Sequence, residues 1–395
     1  MYRIGEEEVE EVKKVLLSGY LFRVGEGVEG HLHEVDRFEH EWAQLIGTEY
    51  ALCMNGGGTA ALICGLVGMG IGPGDEVIVP GYTWMATATS VLAVGAIPVI
   101  AEVDETLALD PEDVRRKITP NTRAIIPVHM VGRPANMQAL LEIAREHGVM
   151  VLEDCCQADG GSYRGKRLGS WGDAGAFSFN YFKIISCGEG GALTTNDRTV
   201  YERALVFHDG GAAFRPYAKE LGIPIFVGIQ LRADEVMGAI LRVQLRRLDG
   251  ILSNLRRIRK RFEQELSETG LRVAPSNDPE GDCGVVVAFQ FDSEADARAF
   301  AQQVGGWLPI DSGKHVYSNW EPLLAKRIMH HPDMNPFNHP RNQGLRTKYT
   351  PDMCPRTLDI LKRTVFLSLH PDWSEEEVSR RIEACRKAVK EAVAA

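Results

Sequence analysis

Apolar residues along this chain follow two spacings, and the switches between them mark its elements. Residues 6–18 set Val9, Val12, Val15 and Leu16 three and four apart, which predicts an amphipathic helix stopped by Gly19. A turn-like stretch at 20–27 leads to a second helix at 35–45. Residues 51–54 read as a short buried strand that opens into Asn55-Gly56-Gly57-Gly58-Thr59 and an apolar helix at 60–67. Strands at 76–80, 97–102, 124–128 and 149–152 then alternate with helices at 85–94, 111–118 and 137–146. Short β-branched runs alternating with helical spacing predict an α/β fold with a mainly parallel sheet covered on both faces. Such sheets bind ligands at the carboxyl ends of their strands, where Asp154, Trp84 and the Gly56–Thr59 turn fall.

A strand at 191–195 and a loop-rich region precede a long helix starting near Ala233. Leu241, Leu245, Leu248, Leu252, Leu255, Ile258 and Phe262 line one side of it. Arg242, Arg246, Arg247, Arg256, Arg257 and Arg259 line another. Without interleaved aromatic residues, this arginine face predicts a solvated or subunit-facing surface rather than a nucleic-acid site. The domain boundary is placed inside the helix, giving a large domain at 1–250 and a smaller α+β domain at 251–395. The latter holds a strand at 284–291 and a closing helix at 375–394. No internal repeat is expected.

Composition narrows the class. A length of 395 residues suits two domains, and 44% apolar with 25% charged residues is ordinary for a soluble globular protein. A net charge of −10 gives no general attraction to nucleic acid or acidic lipid. The eight cysteines are scattered apart from Cys155-Cys156, with no metal spacing, which predicts a reducing, cytoplasmic setting. The acidic start is unlike a targeting peptide, and the most apolar stretch, 91–100, is too short to span a bilayer. His31 with His33, and His330, His331 and His339, lack a completing carboxylate or cysteine, so no metal is expected.

The candidate chemistry centres on 177–191, where Lys183 follows an aromatic-hydroxyl run and precedes Gly188-Glu189-Gly190-Gly191. Upstream, Asp154 closes an apolar strand. The pair suggests pyridoxal phosphate (PLP), with Lys183 as the Schiff-base amine and Asp154 keeping the ring nitrogen protonated. Trp84 would stack on the ring. Gly58, Thr59, Ala60 and Ser178 would hold the phosphate through helix-start N–H groups and hydroxyls. Gln157 would meet the ring hydroxyl. Cys155 and Cys156 are read as packing residues near the ring.

These motifs resemble the DegT/DnrJ/EryC1/StrS sugar aminotransferases over nearly the whole length. The resemblance rests on Gly58-Thr59-Ala60-Ala61-Leu62, 74–80, 127–132, Glu153-Asp154-Cys155-Cys156-Gln157-Ala158, Gly172-Asp173, Phe177-Ser178-Phe179, Lys183 with Gly188–Gly191, and 367–371. It implies PLP fold type I, a homodimer with active sites at the subunit interface, and glutamate or glutamine as amino donor. The chain departs from the family pattern at Gly57, usually Ser, at Ile184, commonly Asn, and at Gln230 in the Asn-x-Arg motif, where Arg232 is kept. That motif implies that Gln230 and Arg232 reach the partner's phosphate. Arg232 is also a candidate for the donor carboxylate, and Tyr20 and Arg23 for the substrate pocket. Lys183 argues against the sugar-dehydratase relatives, which carry His there.

The implied activity moves an amino group to a nucleotide-linked keto-sugar, an octulosonate-type sugar acid or a cyclitol. Leu21-Phe22-Arg23, 187–191 and 278–282 are most similar to members making 8-amino-3,8-dideoxy-octulosonate. The alternatives are a non-catalytic PLP-fold regulator, against which the presence of both Lys183 and Asp154 weighs, and a PLP enzyme of the same family with a different reaction.

Overall fold

The computed structural model describes residues 2–394, with side chains from 2 to 390. Five strands come first: β1 (Tyr50–Met54), β2 (Glu76–Pro80), β3 (Ile97–Ala101), β4 (Thr122–Ile125) and β5 (Met150–Asp154). A small hairpin, β6 (Ser162–Tyr163) and β7 (Lys166–Arg167), separates them from β8 (Ala174–Ser178) and β9 (Gly191–Thr195). Seven of these form one sheet in the order β1-β9-β8-β5-β4-β2-β3. The run from β8 to β3 is parallel throughout, as expected. β9 is reversed and pairs antiparallel with both β8 and β1. Antiparallel neighbours need only a turn between them, whereas parallel ones need a crossover. The β8–β9 turn, 179–190, carries Lys183.

Alternate strand residues enter different cores. Ile78, Val99 and Ile125 pack into one apolar cluster, Val77, Val79 and Ile100 into another, so both faces are covered. The first helix is Glu6–Ser18 as expected, yet Val15 is buried while Val9 and Leu16 stay exposed. Its docking is largely polar: Glu8 accepts from Gln244 and pairs with Arg247, and Arg246 lies 4.0 Å from Glu11.

The long helix spans Glu235–Leu266. Its arginine face differs from the expectation, because the chain itself supplies the anions. Arg242 pairs with Glu34 and Glu41, Arg257 and Arg261 with Glu375, and Arg259 with Glu263. Glu263 lies one turn along the same helix, but Glu34, Glu41 and Glu375 are far from it in sequence, so no local pattern reveals those pairings.

A second, antiparallel sheet follows in the order β10-β11-β12, from β10 (Arg272–Val273), β11 (Val286–Gln290) and β12 (Thr364–Ser368). The boundary expected at 250/251 lies mid-helix, beside the fully buried Ile251. The later chain also returns to the first sheet: Tyr317, Trp320, Leu323 and Cys354 join its core, and Val316 bridges to Tyr82. The segment 278–282 is a clasp, with Arg259 and Arg133 each near Asp282 and Asp278 accepting from the Arg164 N–H.

One expectation is corrected. His331-Pro332-Asp333-Met334, Asn335-Pro336-Phe337-Asn338 and His339-Pro340-Arg341-Asn342 form three successive 3-10 turns. Each opening side chain accepts from the N–H two residues on, so this is a short internal repeat. No helix among the described residues is long and apolar enough to cross a membrane.

Candidate active site

β5 ends at Asp154, which is 4% exposed. Its Oδ2 accepts from the Thr87 hydroxyl at 2.8 Å, and its Oδ1 from the Cys156 N–H at 3.1 Å. The Thr83 and Thr87 hydroxyls lie 2.7 Å apart. The backbone of Asp154 donates to Pro127 O and accepts from the His129 N–H, which fixes the strand end. Glu153 anchors the other side by accepting from the N–H groups of Gly169, Trp171 and Gly172. His129 Nδ1 accepts from the Ala135 N–H at 3.0 Å, so Nε2 carries the ring proton and donates to Glu153 at 3.1 Å. Thr83, Thr87, His129 and Glu153 received no role from the sequence. The first two flank Trp84, where a spacing of four at a helix start was an available signal.

The helix Gly57–Gly68 begins where β1 ends. A Cβ on Gly58 would fall well inside contact distance of Cys156 Sγ and 3.0 Å from Ser178 Cβ. Only glycine lets this helix start approach the ends of β5 and β8, and Gly57 adopts φ +67° just before it. Helix-start N–H groups, the exposed Thr59, Ala60 and the buried Ser178 therefore meet in one place.

Lys183 sits half-buried in the β8–β9 turn, whose hydrogen bonds include Phe179 N–H to Gly190 O at 2.7 Å and Tyr181 N–H to Gly188 O at 2.9 Å. Asn180 donates to Glu189 across the same turn at 2.9 Å. The Lys183 charge is felt by Cys156, Asp159 and His315. Burial pushes the Cys156 thiol well up, so it stays protonated. Gln157 Oε1 accepts from the Val131 N–H at 3.0 Å.

Trp84 is 39% exposed, with the His315 ring 5.2 Å away and Lys314 Nζ 4.4 Å over its face. The Thr83 and Met85 N–H groups bond His315 O and Lys314 O. Burial, with Lys314 and Lys183 nearby, pushes His315 down to about 4, leaving it neutral at pH 7. Its distance in sequence from Trp84 hid this contact.

Arg232 lies beside the Gly56–Gly58 turn, because Asn55 N–H donates to Leu231 O at 2.8 Å and Met54 bridges to Arg232. It pairs with Asp209 and stands over the Phe22 ring, while Gln230 Oε1 accepts from its N–H. Burial opposes the ionisation of Asp209, but bonds from Arg215, Gly211 and Tyr217, with the Arg232 charge, hold its carboxyl well below the usual range. Arg23 is drawn elsewhere. It is buried, grips Glu39 through two 2.7 Å bonds and donates to Cys53 O at 3.3 Å. Tyr20 is exposed, 6.4 Å from the His31 ring. His31 itself is bonded to Phe22 O at 2.7 Å.

Lys183, Asp154, Gln157, Ser178, the Gly58–Ala60 helix start and Trp84 thus gather at the carboxyl ends of the strands. An amine, a clamped carboxylate and a helix start whose glycine leaves room for an anion fit PLP.

Comparison with known proteins agrees. The model of the DegT/DnrJ/EryC1/StrS aminotransferase family matches residues 2–304. The spore coat polysaccharide biosynthesis protein SpsC of Bacillus subtilis is 33% identical over 403 residues, covering 98% of this chain and 95% of that protein. GDP-perosamine synthase of Caulobacter vibrioides is 43% identical over 237 residues, 60% of this chain and 62% of that one. The crystal structure of DesV of S. venezuelae with a ketimine intermediate superposes with a TM-score of 0.74 at 29% identity, covering 97% of this chain and 94% of that one. The chain belongs to the DegT/DnrJ/EryC1/StrS aminotransferase family, an enzyme family that works with pyridoxal phosphate.

Proposed function

We propose that the chain transfers an amino group from glutamate or glutamine to a keto-sugar in amino-sugar biosynthesis, as a homodimer in the cytoplasm with active sites completed across the interface. The observation that carries this reading is the convergence of Lys183, the clamped Asp154 and the Gly58 helix start at one sheet edge.

PLP, when bound, supplies a ring that accepts electrons from the reacting carbon. Lys183 Nζ would anchor it, and as a neutral amine Nζ would take the proton that leaves the donor's α-carbon. Asp154 keeps a proton on the ring nitrogen, and the Thr87 and Cys156 bonds hold it in the orientation this requires. Trp84 would stack on the ring, Gln157 would meet its hydroxyl, and Gly58, Thr59, Ala60 and Ser178 would take the phosphate. Gln230 and Arg232 extend toward the partner's site, with Tyr20 at the rim. Arg23 braces the 20–24 segment through Glu39 and works at one remove from substrate.

Support for the dimer comes from large apolar side chains left in water near this edge. Phe182 is 82% exposed, Phe214 90% and Val227 93%, the last in the segment leading to Arg232. Free thiols at all eight cysteines suit a reducing compartment. The sugar acceptor is supported by the perosamine and spore-coat polysaccharide relatives.

The test is a half-reaction. Glutamate or glutamine should bleach the visible band of the PLP-loaded enzyme, and the aminated enzyme should then convert a panel of nucleotide-linked keto-sugars, keto-sugar acids and keto-cyclitols, read by mass spectrometry. A band that persists with every amino donor would sink the proposal.

A further inference from the structure

Among the described residues, Val131 is the only β-branched one with a left-handed backbone, at φ +49° and ψ +36°. Crowding at Cβ makes that region costly for valine, and such strain persists only where the surroundings fix it. Here they do. Upstream, Val128 bridges to Asp154, and the His129 N–H donates to Asp154 O at 3.1 Å. Downstream, Gly132 O accepts from the Cys283 N–H at 3.0 Å, and the Ala135 N–H returns to His129 Nδ1 at 3.0 Å. The turn closes through Gly132 N–H to His129 O at 3.3 Å and Arg133 N–H to Met130 O at 3.0 Å. The Val131 N–H is left outside the turn's own bonding, while its side chain packs into the cluster around Tyr82, Val128 and Val286. The freed N–H donates to Gln157 Oε1 at 3.0 Å. A backbone N–H can only donate, so the Gln157 amide must turn its oxygen toward Val131 and its NH2 away. That NH2 has no partner among the described residues, and Gln157 is half-buried three residues beyond Asp154.

We propose that Val131 is a positioning residue whose main-chain N–H, aimed by the strained turn, locks Gln157 as a hydrogen-bond donor to the cofactor's ring oxygen. A hydrogen bond to the charged form of a group stabilises that form, so an oxygen that meets only a donor is favoured as its anion. A freely rotating amide could also present its own oxygen, which would repel the ring oxygen. The Val131 bond excludes that flipped arrangement. The inference rests on Gln157 meeting the ring hydroxyl, and Val131 acts through Gln157.

Two measurements test it. In the cofactor-free full-length chain, NMR of isotope-labelled valine amides reads the Val131 N–H, with Val131→Ile assigning the signal. Gln157→Leu offers no acceptor and should move that proton signal upfield. Gln157→Glu, whose carboxylate still accepts, should keep it downfield. A signal unmoved by Gln157→Leu overturns the proposal. In the PLP-loaded enzyme, the pH midpoint of the visible band reads the surroundings of the ring oxygen. Gln157→Leu should raise that midpoint and weaken PLP binding about 10-fold or more, the effect of losing one hydrogen bond to a charged group. Val131→Gly keeps the N–H and adopts the left-handed region without strain, so its midpoint should match the wild type. Val131→Pro has no N–H and cannot adopt a positive φ, so its midpoint should rise as in Gln157→Leu. Equal midpoints in Val131→Gly and Val131→Pro overturn the proposal. Should Val131→Pro fail to fold, the valine signal decides alone. That signal needs no cofactor and no turnover, so its failure leaves the aminotransferase reading intact. A band that no amino donor bleaches, with the expected valine signal, faults that reading alone.

Discussion

The Thr87 hydroxyl donates to Asp154 Oδ2 at 2.8 Å, with both groups buried. The bond helps aim a carboxylate that must point at one ring atom. A hydrogen bond to a charged group contributes about 1.5–3 kcal/mol. Thr87→Val should therefore weaken PLP binding roughly 10- to 100-fold, whereas Thr87→Ser should retain most of it. Absorbance titration of the stripped enzyme with PLP checks both.

Gly58 makes a second demand on the same pocket. A Cβ there collides with Cys156 Sγ, so Gly58→Ala should push the helix start away from Ser178 and reduce PLP affinity. Because the clash is between neighbours, Cys156→Ala should restore part of the loss in the double variant. Independent, additive losses would show that the collision is not the cause.

Arg23 and Glu39 form a buried two-pronged pair. Removing one partner strands the other charge, at a cost of about 3–5 kcal/mol. Arg23→Ala should lower stability by that order in urea unfolding, and PLP-loaded protein that still folds should keep its KM for the amino donor. A large KM effect with unchanged stability would return Arg23 to the substrate pocket.

Acid should destabilise the chain through His208. Burial, then the nearby Arg23 charge, pushes its pKa down to about 3. The unfolded ring binds its proton near pH 6.5, so the unfolded state gains protons first and folding stability falls as pH drops below that value. Between pH 7 and pH 5 the loss should be about 2 kcal/mol. His208→Asn should flatten that slope in unfolding curves taken across the range.

If each site needs both subunits, Lys183→Ala and Arg232→Met chains should both be inactive as homodimers. Mixing them under conditions of subunit exchange should recover turnover that neither shows alone. Continued inactivity after demonstrated exchange would place Arg232 and Lys183 in the same subunit's site.

Much of the fold was legible because it is local. The helix at 6–18 and the strands at 76–80 and 191–195 fall where periodicity places them. β8 carries a weaker local mark, since Ala174-Gly175-Ala176-Phe177-Ser178 has small residues where β-branched ones favour a strand. The chemistry of Lys183 and Asp154 was likewise readable, because amine, carboxylate and glycine turn are residue types in a fixed order. Tertiary structure decided what those residues meet. It gave Asp154 its Thr87 bond, brought His315 and Lys314 to Trp84, turned the arginine face toward the chain's own glutamates, and committed Arg23 to Glu39. Periodicity and residue type are properties of neighbours along the chain. Partnership between side chains that are not neighbours along the chain depends on packing, and packing exists only once the chain has folded.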